Sequence, residues 1–279
     1  MKRDYQRLDW FTFGKQLLTT GDLDPLYIVL NKANMPFTKL CNWLMAYWCF
    51  YSTGGACYIV DYAADKHYSL YESMVFYNLA INPILPRGHE RRHFRGHAAS
   101  KSIYGLQAAG KPEDIICGWV RPSLDFGSIA ARIQQLYLFG PWIAWKICDM
   151  LERVMGYPIN FNEATLDIYS EPVKGAALIK HGEQGHDISD EDLTAVVDSM
   201  KVIYQDFKVP PLYDRSVNVQ EVETILCKYK AHINGFYPLW NDTIEIIESL
   251  EYFNRTSSTA IQLLPIAQNI LSKEVSLNG

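Results

Sequence analysis

The stretch from Ile129 to Met155, IAARIQQLYLFGPWIAWKICDMLERVM, decides the fold. Its apolar spacing predicts a helix that ends near Tyr137 and a tight turn through Leu138, Phe139 and Gly140. Pro141 then opens a second helix, since proline is favoured at the first helical position. Apolar residues three and four apart give this second helix a buried face, namely Ala144, Ile147, Cys148 and Leu151. The stretch therefore predicts two helices joined by a short turn.

The rest of the chain shows the same helical periodicity. Further helices are predicted over 38–50, 70–81, 90–106, 191–207, 217–232, 239–252 and 260–271. Strand-like alternation is confined to Cys57–Val60. We therefore predict an all-α protein with two helical lobes and a cleft between them. Residues 1–180 would form one predominantly helical region with the hairpin near 129–155, and 181–279 an acidic helical lobe packed against it, unless the two form one domain.

The predicted hairpin resembles the helix-hairpin-helix of the DNA glycosylase superfamily. Gly140 and Ala144 match that pattern, whereas Leu138 stands where the first glycine belongs. In such hairpins the turn amides and the second helix N-terminus hold a DNA phosphate without reading sequence. The resemblance thus implies DNA contacts from Phe139, Gly140, Trp142 and Lys146. An ordinary structural turn between two helices would give the same local pattern.

The loop after the hairpin departs from base-excising glycosylases. Those enzymes carry an essential Asp about twenty residues beyond the hairpin glycine, where this chain has Asn162. An amide cannot activate water or stabilise an oxocarbenium ion as a carboxylate does. Glycosidic cleavage is therefore not favoured, although Glu163 or Asp167 would be able to substitute.

Charge is distributed unevenly along the 279 residues. The whole chain has 26 Lys and Arg against 31 Asp and Glu, a formal charge of −5. Residues 1–160 hold 17 basic and 13 acidic side chains, and residues 161–279 hold 9 and 18. A locally basic, polyanion-facing part is therefore compatible with the acidic total. The longest apolar run, Leu40–Tyr51, is too short to span a membrane, and the six cysteines are spaced as buried, reduced thiols.

An arginine-rich segment, LPRGHERRHFRGH, covers Leu85–His97. Because Pro86 and Gly88 interrupt the chain, a helix is expected to start near residue 90, with the later arginines in its first turns. Guanidinium groups suit bidentate contacts with phosphate oxygens. The predicted phosphate-binding residues are Arg87, Arg91, Arg92 and Arg95. A solvated, salt-bridged helix end would have the same composition.

The same segment contains His89-Glu90-x-x-His93, which matches the zinc-peptidase signature. Arg91 and Arg92 would place two cations beside a zinc dication, and Ala99 stands where a third histidine belongs. A zinc peptidase is therefore the least favoured alternative, and no metal is expected.

A third pattern lies at Glu221-x-Glu-x-Ile-Leu-Cys227-Lys-Tyr-Lys. Lys228 and Lys230 form a basic pair within the acidic half of the chain. Lys228 is accordingly a candidate DNA contact on a clamping element, and an amphipathic helix with exposed lysines is the alternative.

In this order, PRGHERRHFRG, FGPWIAWKICDMLERV and ILCKYK resemble the α-glutamyl/putrescinyl thymine pyrophosphorylases, also described as amino acid:DNA transferases. The resemblance covers roughly 40–250. It implies a phage enzyme in the cytoplasm of the infected host that acts on double-stranded DNA containing phosphorylated 5-hydroxymethyluracil. An amine such as glycine, glutamate or putrescine would displace the (pyro)phosphate from a flipped base, without a cofactor.

The resemblance also implies roles for individual residues. Glu90, His93 or Asp149 would take the proton of the attacking ammonium, while the arginines neutralise the leaving group. Trp142 or Tyr137 would stack on a base, unless these rings belong to the core. A helix-hairpin-helix glycosylase and a non-catalytic DNA-binding protein remain the alternatives.

Overall fold

A computed structural model describes residues 6–85, 91, 93–182 and 186–277, except for the side chains of 168 and 273–277. Within these residues the chain is all-helical and no β-strand is present. The helices are α1 (Trp10–Thr20), α2 (Pro25–Ala33), α3 (Phe37–Phe50), α4 (Thr53–Lys66), α5 (Leu70–Phe76), α6 (Gly96–Ala109), α7 (Pro112–Val120), α8 (Phe126–Ile133), α9 (Pro141–Arg153), α10 (Ser170–His181), α11 (Asp190–Ile203), α12 (Val219–Ile233), α13 (Asn241–Phe253) and α14 (Ser258–Leu277).

Short irregular helical turns accompany the α-helices. A π-helical segment (Tyr77–Ile81) and a 3₁₀ turn (Asn82–Ile84) follow α5, and a second 3₁₀ turn (Leu166–Ile168) precedes α10. None of the helices in the described residues is both long and apolar enough to cross a bilayer.

The chain divides into two compact units that are not contiguous in sequence. The first contains 1–31, 149–244 and 269–279, and the second contains 32–148 and 245–268. The boundary predicted near residue 180 does not coincide with this division, because it falls inside the first unit. The division instead falls within α2, α9, α13 and α14.

The second unit is built around α3, which is apolar on nearly all sides. Its residues from Trp43 to Phe50 are all buried, as expected of a helix surrounded by neighbours. Gly54 at the start of α4 allows a close approach, since a Cβ there would lie 2.0 Å from the Ser249 carbonyl oxygen. Asp61 on α4 accepts hydrogen bonds from the Thr259 backbone N–H and hydroxyl at 2.8 and 2.6 Å. These contacts fix the start of α14.

The first unit is organised by α12, whose buried face includes charged side chains. α10 packs on it through Gly175, where a Cβ would lie 2.4 Å from the Leu226 carbonyl oxygen. Lys228 extends from α12 to the backbone carbonyls of Asp22 and Leu23, at 2.8 and 2.6 Å. Its third contact is an ion pair of 2.7 Å with Asp242.

The predicted helices are confirmed, with shifted ends. The residues with strand-like alternation, Cys57–Val60, lie inside α4, in agreement with the predicted all-α class. The predicted helix over 90–106 begins only at Gly96, and the first hairpin helix ends at Ile133 rather than near Tyr137. The cysteines carry no disulfide, and four of the six are buried.

Candidate active site

Arg91 and Arg95 lie in a turn that is fixed from outside, in the second unit. The buried Asn78 side chain donates to the Gly96 carbonyl at 2.8 Å and accepts from the Gly96 N–H at 3.0 Å. Arg95 forms the N-cap position of α6, and its guanidinium donates to the Asn82 carbonyl at 3.3 Å. The arginines thus precede the helix instead of lying in its first turns, because Asn78 sets the start of α6.

The guanidinium of Arg91 joins this turn to the hairpin. Its Nε donates to the Cys49 carbonyl and its Nη1 to the Leu138 carbonyl, each at 3.1 Å. The rings of Phe94 and Phe139 lie 4.6 and 5.4 Å from its central carbon. The structure therefore brings together two sequence motifs that are more than forty residues apart.

The remaining nitrogen of Arg91, Nη2, is buried and has no hydrogen-bond partner in the described part of the chain. Burial of the guanidinium lowers its pKa to about 10. Among the described residues Arg91 forms no ion pair with a carboxylate, and its guanidinium contacts backbone carbonyls and aromatic rings. A buried cation with one open donor is the arrangement that an anion completes.

The hairpin turn lies beside this guanidinium. Seven residues, 134–140, join α8 to α9. Leu138 adopts a left-handed conformation with φ 69°, and Lys101 lies 4.8 Å above the ring of Tyr137. Gly140 is exposed, and a Cβ added there would meet no atom within 4 Å. The first N–H groups of α9 have no partner within their own helix.

The structure gives the other hairpin residues different degrees of access. Trp142 and Lys146 are half-buried and lie one helical turn apart on α9. Phe139 is 1% exposed, so its side chain cannot contact DNA and instead supports the Arg91 guanidinium.

Of the other candidate residues in the arginine-rich segment, His93 is exposed. Arg87, Glu90 and Arg92 lie outside the described residues.

Asp149 and Lys228 belong to the first unit and have structural contacts there. Asp149 is fully buried, accepts from the Tyr27 hydroxyl at 2.6 Å and from the Gln220 amide at 3.2 Å, and lies 3.6 Å from Arg153. Lys228 uses its three ammonium hydrogens for two carbonyls and Asp242. Lys228 therefore has no ammonium hydrogen left to donate to a DNA phosphate, as its predicted DNA-binding role would require.

The loop that would carry a glycosylase carboxylate lies in the first unit. Asn162 and Glu163 are exposed there. They line a cavity of about 450 Å³ together with Asp167, Asp190 and Asp198. Asn162 is the residue at the glycosylase position, and its amide side chain cannot act as a base.

Tyr51 is a further candidate residue beside Arg91 and Trp142. It is the C-cap of α3, two residues beyond the carbonyl that holds Arg91, and its ring lies 5.0 Å from that of Trp142. No sequence motif marks it, because its only signal is the contact with a residue ninety-one positions away.

The two units differ in formal charge. The second unit holds thirteen Lys and Arg against ten Asp and Glu, whereas the first holds thirteen against twenty-one. Both the arginine-rich turn and the hairpin belong to the basic unit. Within the described residues, no three His, Cys, Asp or Glu side chains are grouped as metal ligands.

Comparison with known proteins identifies the family. A family model described as amino acid:DNA transferase matches residues 18–236. The chain belongs to the amino acid:DNA transferase family. This membership confirms the predicted resemblance and the predicted class of enzyme, a transferase in the modification of phage DNA.

Two relatives match across nearly the whole chain. A glycinyltransferase of Pseudomonas phage PaMx11 is 36% identical over 281 residues, which cover 93% of this chain and 96% of the relative. A putrescinyltransferase of Delftia phage PhiW-14 is 26% identical over 277 residues, covering 95% and 86%. The matched region includes the Arg91 turn and the hairpin.

Proposed function

We propose that this transferase replaces the (pyro)phosphate of phosphorylated 5-hydroxymethyluracil in double-stranded DNA with an amino acid or a small polyamine. The names of the two relatives, a glycinyltransferase and a putrescinyltransferase, support this class of co-substrate. The reaction takes place on an extruded base in the cytoplasm of the infected host, and it requires no cofactor. The amine nitrogen attacks the exocyclic methylene carbon, the carbon–oxygen bond breaks, and the oxygen leaves with the phosphate.

The single observation that carries the proposal is the open Nη2 of Arg91. A departing phosphate gains charge on its bridging oxygen, and a buried guanidinium stabilises this charge more strongly than an exposed one. Because Nε and Nη1 are already held by carbonyls, the guanidinium is oriented before the substrate binds. Arg95 adds a second cation at the start of α6, and the sequence adds Arg87 and Arg92.

The hairpin supplies the contacts to the DNA backbone. Gly140 leaves room for a phosphate to approach the main chain, and the N-terminus of α9 directs N–H groups at it. Lys146, one helical turn beyond Trp142, is the second backbone contact that we propose. A helix-hairpin-helix role of this turn would hold the duplex without reading its sequence.

The attacking amine must lose a proton. His93 is an exposed imidazole two residues from Arg91 and is the base we propose. Glu90 is the alternative base from the sequence. Asp149 would need to exchange its contacts with Tyr27 and Gln220 before it faced a substrate.

The experiment incubates the protein with duplex DNA containing phosphorylated 5-hydroxymethyluracil and, separately, glycine, glutamate or putrescine. The DNA is then digested to nucleosides, which are identified by mass spectrometry. We expect an amine adduct with at least one amine and none on DNA containing unphosphorylated 5-hydroxymethyluracil. Abasic sites would support a glycosylase instead, and binding without any product would support a non-catalytic DNA-binding protein.

A further inference from the structure

Two half-buried aromatic rings meet close in sequence to the two carbonyls that hold Arg91. Tyr51 and Trp142 have ring centroids 5.0 Å apart and an interplanar angle of 56°. Both rings keep part of their surface accessible to solvent. Tyr51 lies at the C-terminal end of α3, and Trp142 lies in the first turn of α9. The pair of rings therefore forms only where these two helix ends meet.

These rings end an aromatic row that begins in the core. Trp43 and Tyr47 stack at 5.2 Å, and Tyr47 lies 4.7 Å from Tyr51. The exposed fraction is 0% at Trp43 and 7% at Tyr47, and it increases at Tyr51. The row therefore has a fully buried end at Trp43 and a partly exposed end at Tyr51.

The backbone of Tyr51 is held in an uncommon conformation. Its φ is 52°, in the left-handed region that a large side chain rarely adopts, and its N–H bonds to the Tyr47 carbonyl. Such a conformation costs roughly 1 kcal/mol or more and is concentrated at binding sites. It directs the ring of Tyr51 toward Trp142.

The open cationic donor lies next to this pair along both chain segments. Arg91 bonds the carbonyl of Cys49, two residues before Tyr51, and that of Leu138, four residues before Trp142. An anion donor beside an aromatic surface matches the two chemical parts of a nucleotide. Phosphate takes the hydrogen bond, and the base takes the stacking contact.

We infer that Tyr51 and Trp142 form the base-stacking half of a pyrimidine-nucleotide subsite, whose phosphate half is the Nη2 of Arg91. The occupant is a nucleotide of the DNA strand that has left the base stack. This inference rests on the proposed function for the identity of the DNA, and it adds Tyr51 as a substrate-contacting residue. The inference predicts that the two rings stack on the unstacked base and do not contact fully paired duplex.

The first test uses full-length protein and two duplexes. One contains phosphorylated 5-hydroxymethyluracil next to 2-aminopurine, whose fluorescence rises when its neighbour unstacks, and the other is fully paired ordinary DNA. We expect Tyr51→Leu to bind the first duplex about 10-fold more weakly and to lose the fluorescence rise, with binding of ordinary duplex unchanged. Trp142→Leu should lose the fluorescence rise as well. Tyr51→Phe keeps the ring and should retain both signals.

Tyr68→Leu is the matched control, because it removes an exposed tyrosine ring of the same unit. It should leave both signals unchanged. A Tyr51→Leu protein with wild-type helix content and unchanged affinity and fluorescence would overturn the inference.

A second measurement needs no variant. An oligonucleotide with 5-iodouracil at the target position is photo-crosslinked to the wild-type protein, and the attached residue is mapped by mass spectrometry. Attachment at Tyr51 or Trp142 supports the inference, and attachment only elsewhere overturns it. Thymidine monophosphate is added as competitor: protection at concentrations equal to those of the oligonucleotide would indicate a free-nucleotide site and would also overturn the inference.

The failure of this inference differs from the failure of the proposed function. Amine adducts formed by a Tyr51→Leu protein as fast as by wild type would remove the stacking role and leave the transferase reaction intact. A crosslink at Tyr51 together with no amine adduct from the wild-type protein would support the stacking role and contradict the transferase reaction.

Discussion

At the scale of single residues, hydrogen-bond satisfaction distinguishes Arg91 from two other buried cations. Arg91, Arg153 and Lys228 are all largely buried cations. Arg153 lies within 4 Å of three carboxylates, and Lys228 has filled its three donor positions. Arg91 alone of these three keeps a buried donor open. Composition cannot make this distinction, because it depends on what surrounds each side chain.

We expect Arg91→Lys to lower the rate of amine transfer by about 100-fold, the usual cost of removing a positioned donor to a developing oxyanion. Lysine keeps the charge but lacks the planar, forked guanidinium whose fixed geometry directs separate donors at the Cys49 carbonyl, the Leu138 carbonyl and the phosphate. Single-turnover mass spectrometry of the modified nucleoside measures the effect.

Arg132→Lys is the control for this change. Arg132 also donates to a backbone carbonyl of the same unit, that of Trp119 at 2.8 Å. It should lose a similar amount of stability and no activity. Equal activity of the two variants would show that Arg91 acts only on the fold.

Asp22 gives a pH dependence of stability. It is fully buried, accepts from the Trp240 N–H and the Thr243 hydroxyl, and burial raises its pKa to about 6, with Lys228 opposing and Asp242 reinforcing the shift. The folded state therefore holds a proton that the unfolded chain, with a value near 3.8, releases. The ionised form costs stability above pH 6, and this cost disappears as the pH falls toward 4.

We expect the unfolding free energy of wild type, relative to Asp22→Asn, to rise by up to about 3 kcal/mol between pH 7 and pH 4. Urea denaturation of both proteins at each pH gives this difference. The other titrating groups contribute equally to both proteins, so their contributions cancel. A difference that is constant across this range would contradict the raised pKa.

At the scale of elements, the hairpin differs from its sequence-based description in a way that matters for binding. The first helix ends four residues early, and the connection is anchored by bonds from outside it. Ser102 donates to the Tyr137 carbonyl at 2.6 Å, and Arg91 holds the next carbonyl. These two anchors hold the turn at Leu138, whose left-handed backbone is otherwise unfavourable for a leucine.

The exposed glycine of this turn provides a test of close approach by DNA. A methyl group at Gly140 meets no protein atom within 4 Å, so Gly140→Ala should change the unfolding free energy by less than about 0.5 kcal/mol. If a phosphate approaches the main chain here, affinity for duplex DNA should fall several-fold in a fluorescence-anisotropy titration.

Gly118→Ala in α7 is the matched variant, since its added methyl group also meets no atom within 4 Å. It should stabilise the protein by about 0.5–1 kcal/mol, as alanine does within a helix, without changing affinity. Unchanged affinity in Gly140→Ala would exclude the hairpin as the backbone contact.

At the scale of the whole molecule, charge is divided by unit and not simply by position along the chain. The acidic total of −5 hides a second unit with three more basic than acidic side chains, and the first unit carries the excess of acid. Segment 1–31 belongs to the same unit as 149–244, and segment 245–268 belongs to the same unit as 32–148. A single cut along the sequence would therefore assign both segments to the wrong unit. A net charge taken over the whole chain therefore says little about the surface that faces DNA.

We expect DNA binding to depend steeply on salt despite the acidic total. With about three phosphate contacts, the logarithm of the association constant should fall against log salt with a slope near −3, or roughly 40-fold between 50 and 200 mM salt. Anisotropy titrations across this range give the slope. A slope near zero would contradict binding through the basic unit.

The sequence by itself determined the all-α class, most of the helices and the family. Periodicity and capping act within one or two helical turns, so they can be read locally, and Ser189 does accept from the Asp192 N–H as the N-cap of α11. The motifs of the arginine-rich segment and the hairpin are likewise contiguous, and they identify the family without a structure.

Only the tertiary structure decided which of the candidate residues lie together. It joined Arg91 to Leu138, placed Tyr51 against Trp142, and assigned Asp149 and Lys228 to buried networks. The physical reason is that desolvation and hydrogen-bond satisfaction depend on neighbours that are forty to two hundred residues distant. Such neighbours leave no periodic trace in the sequence around any one of them.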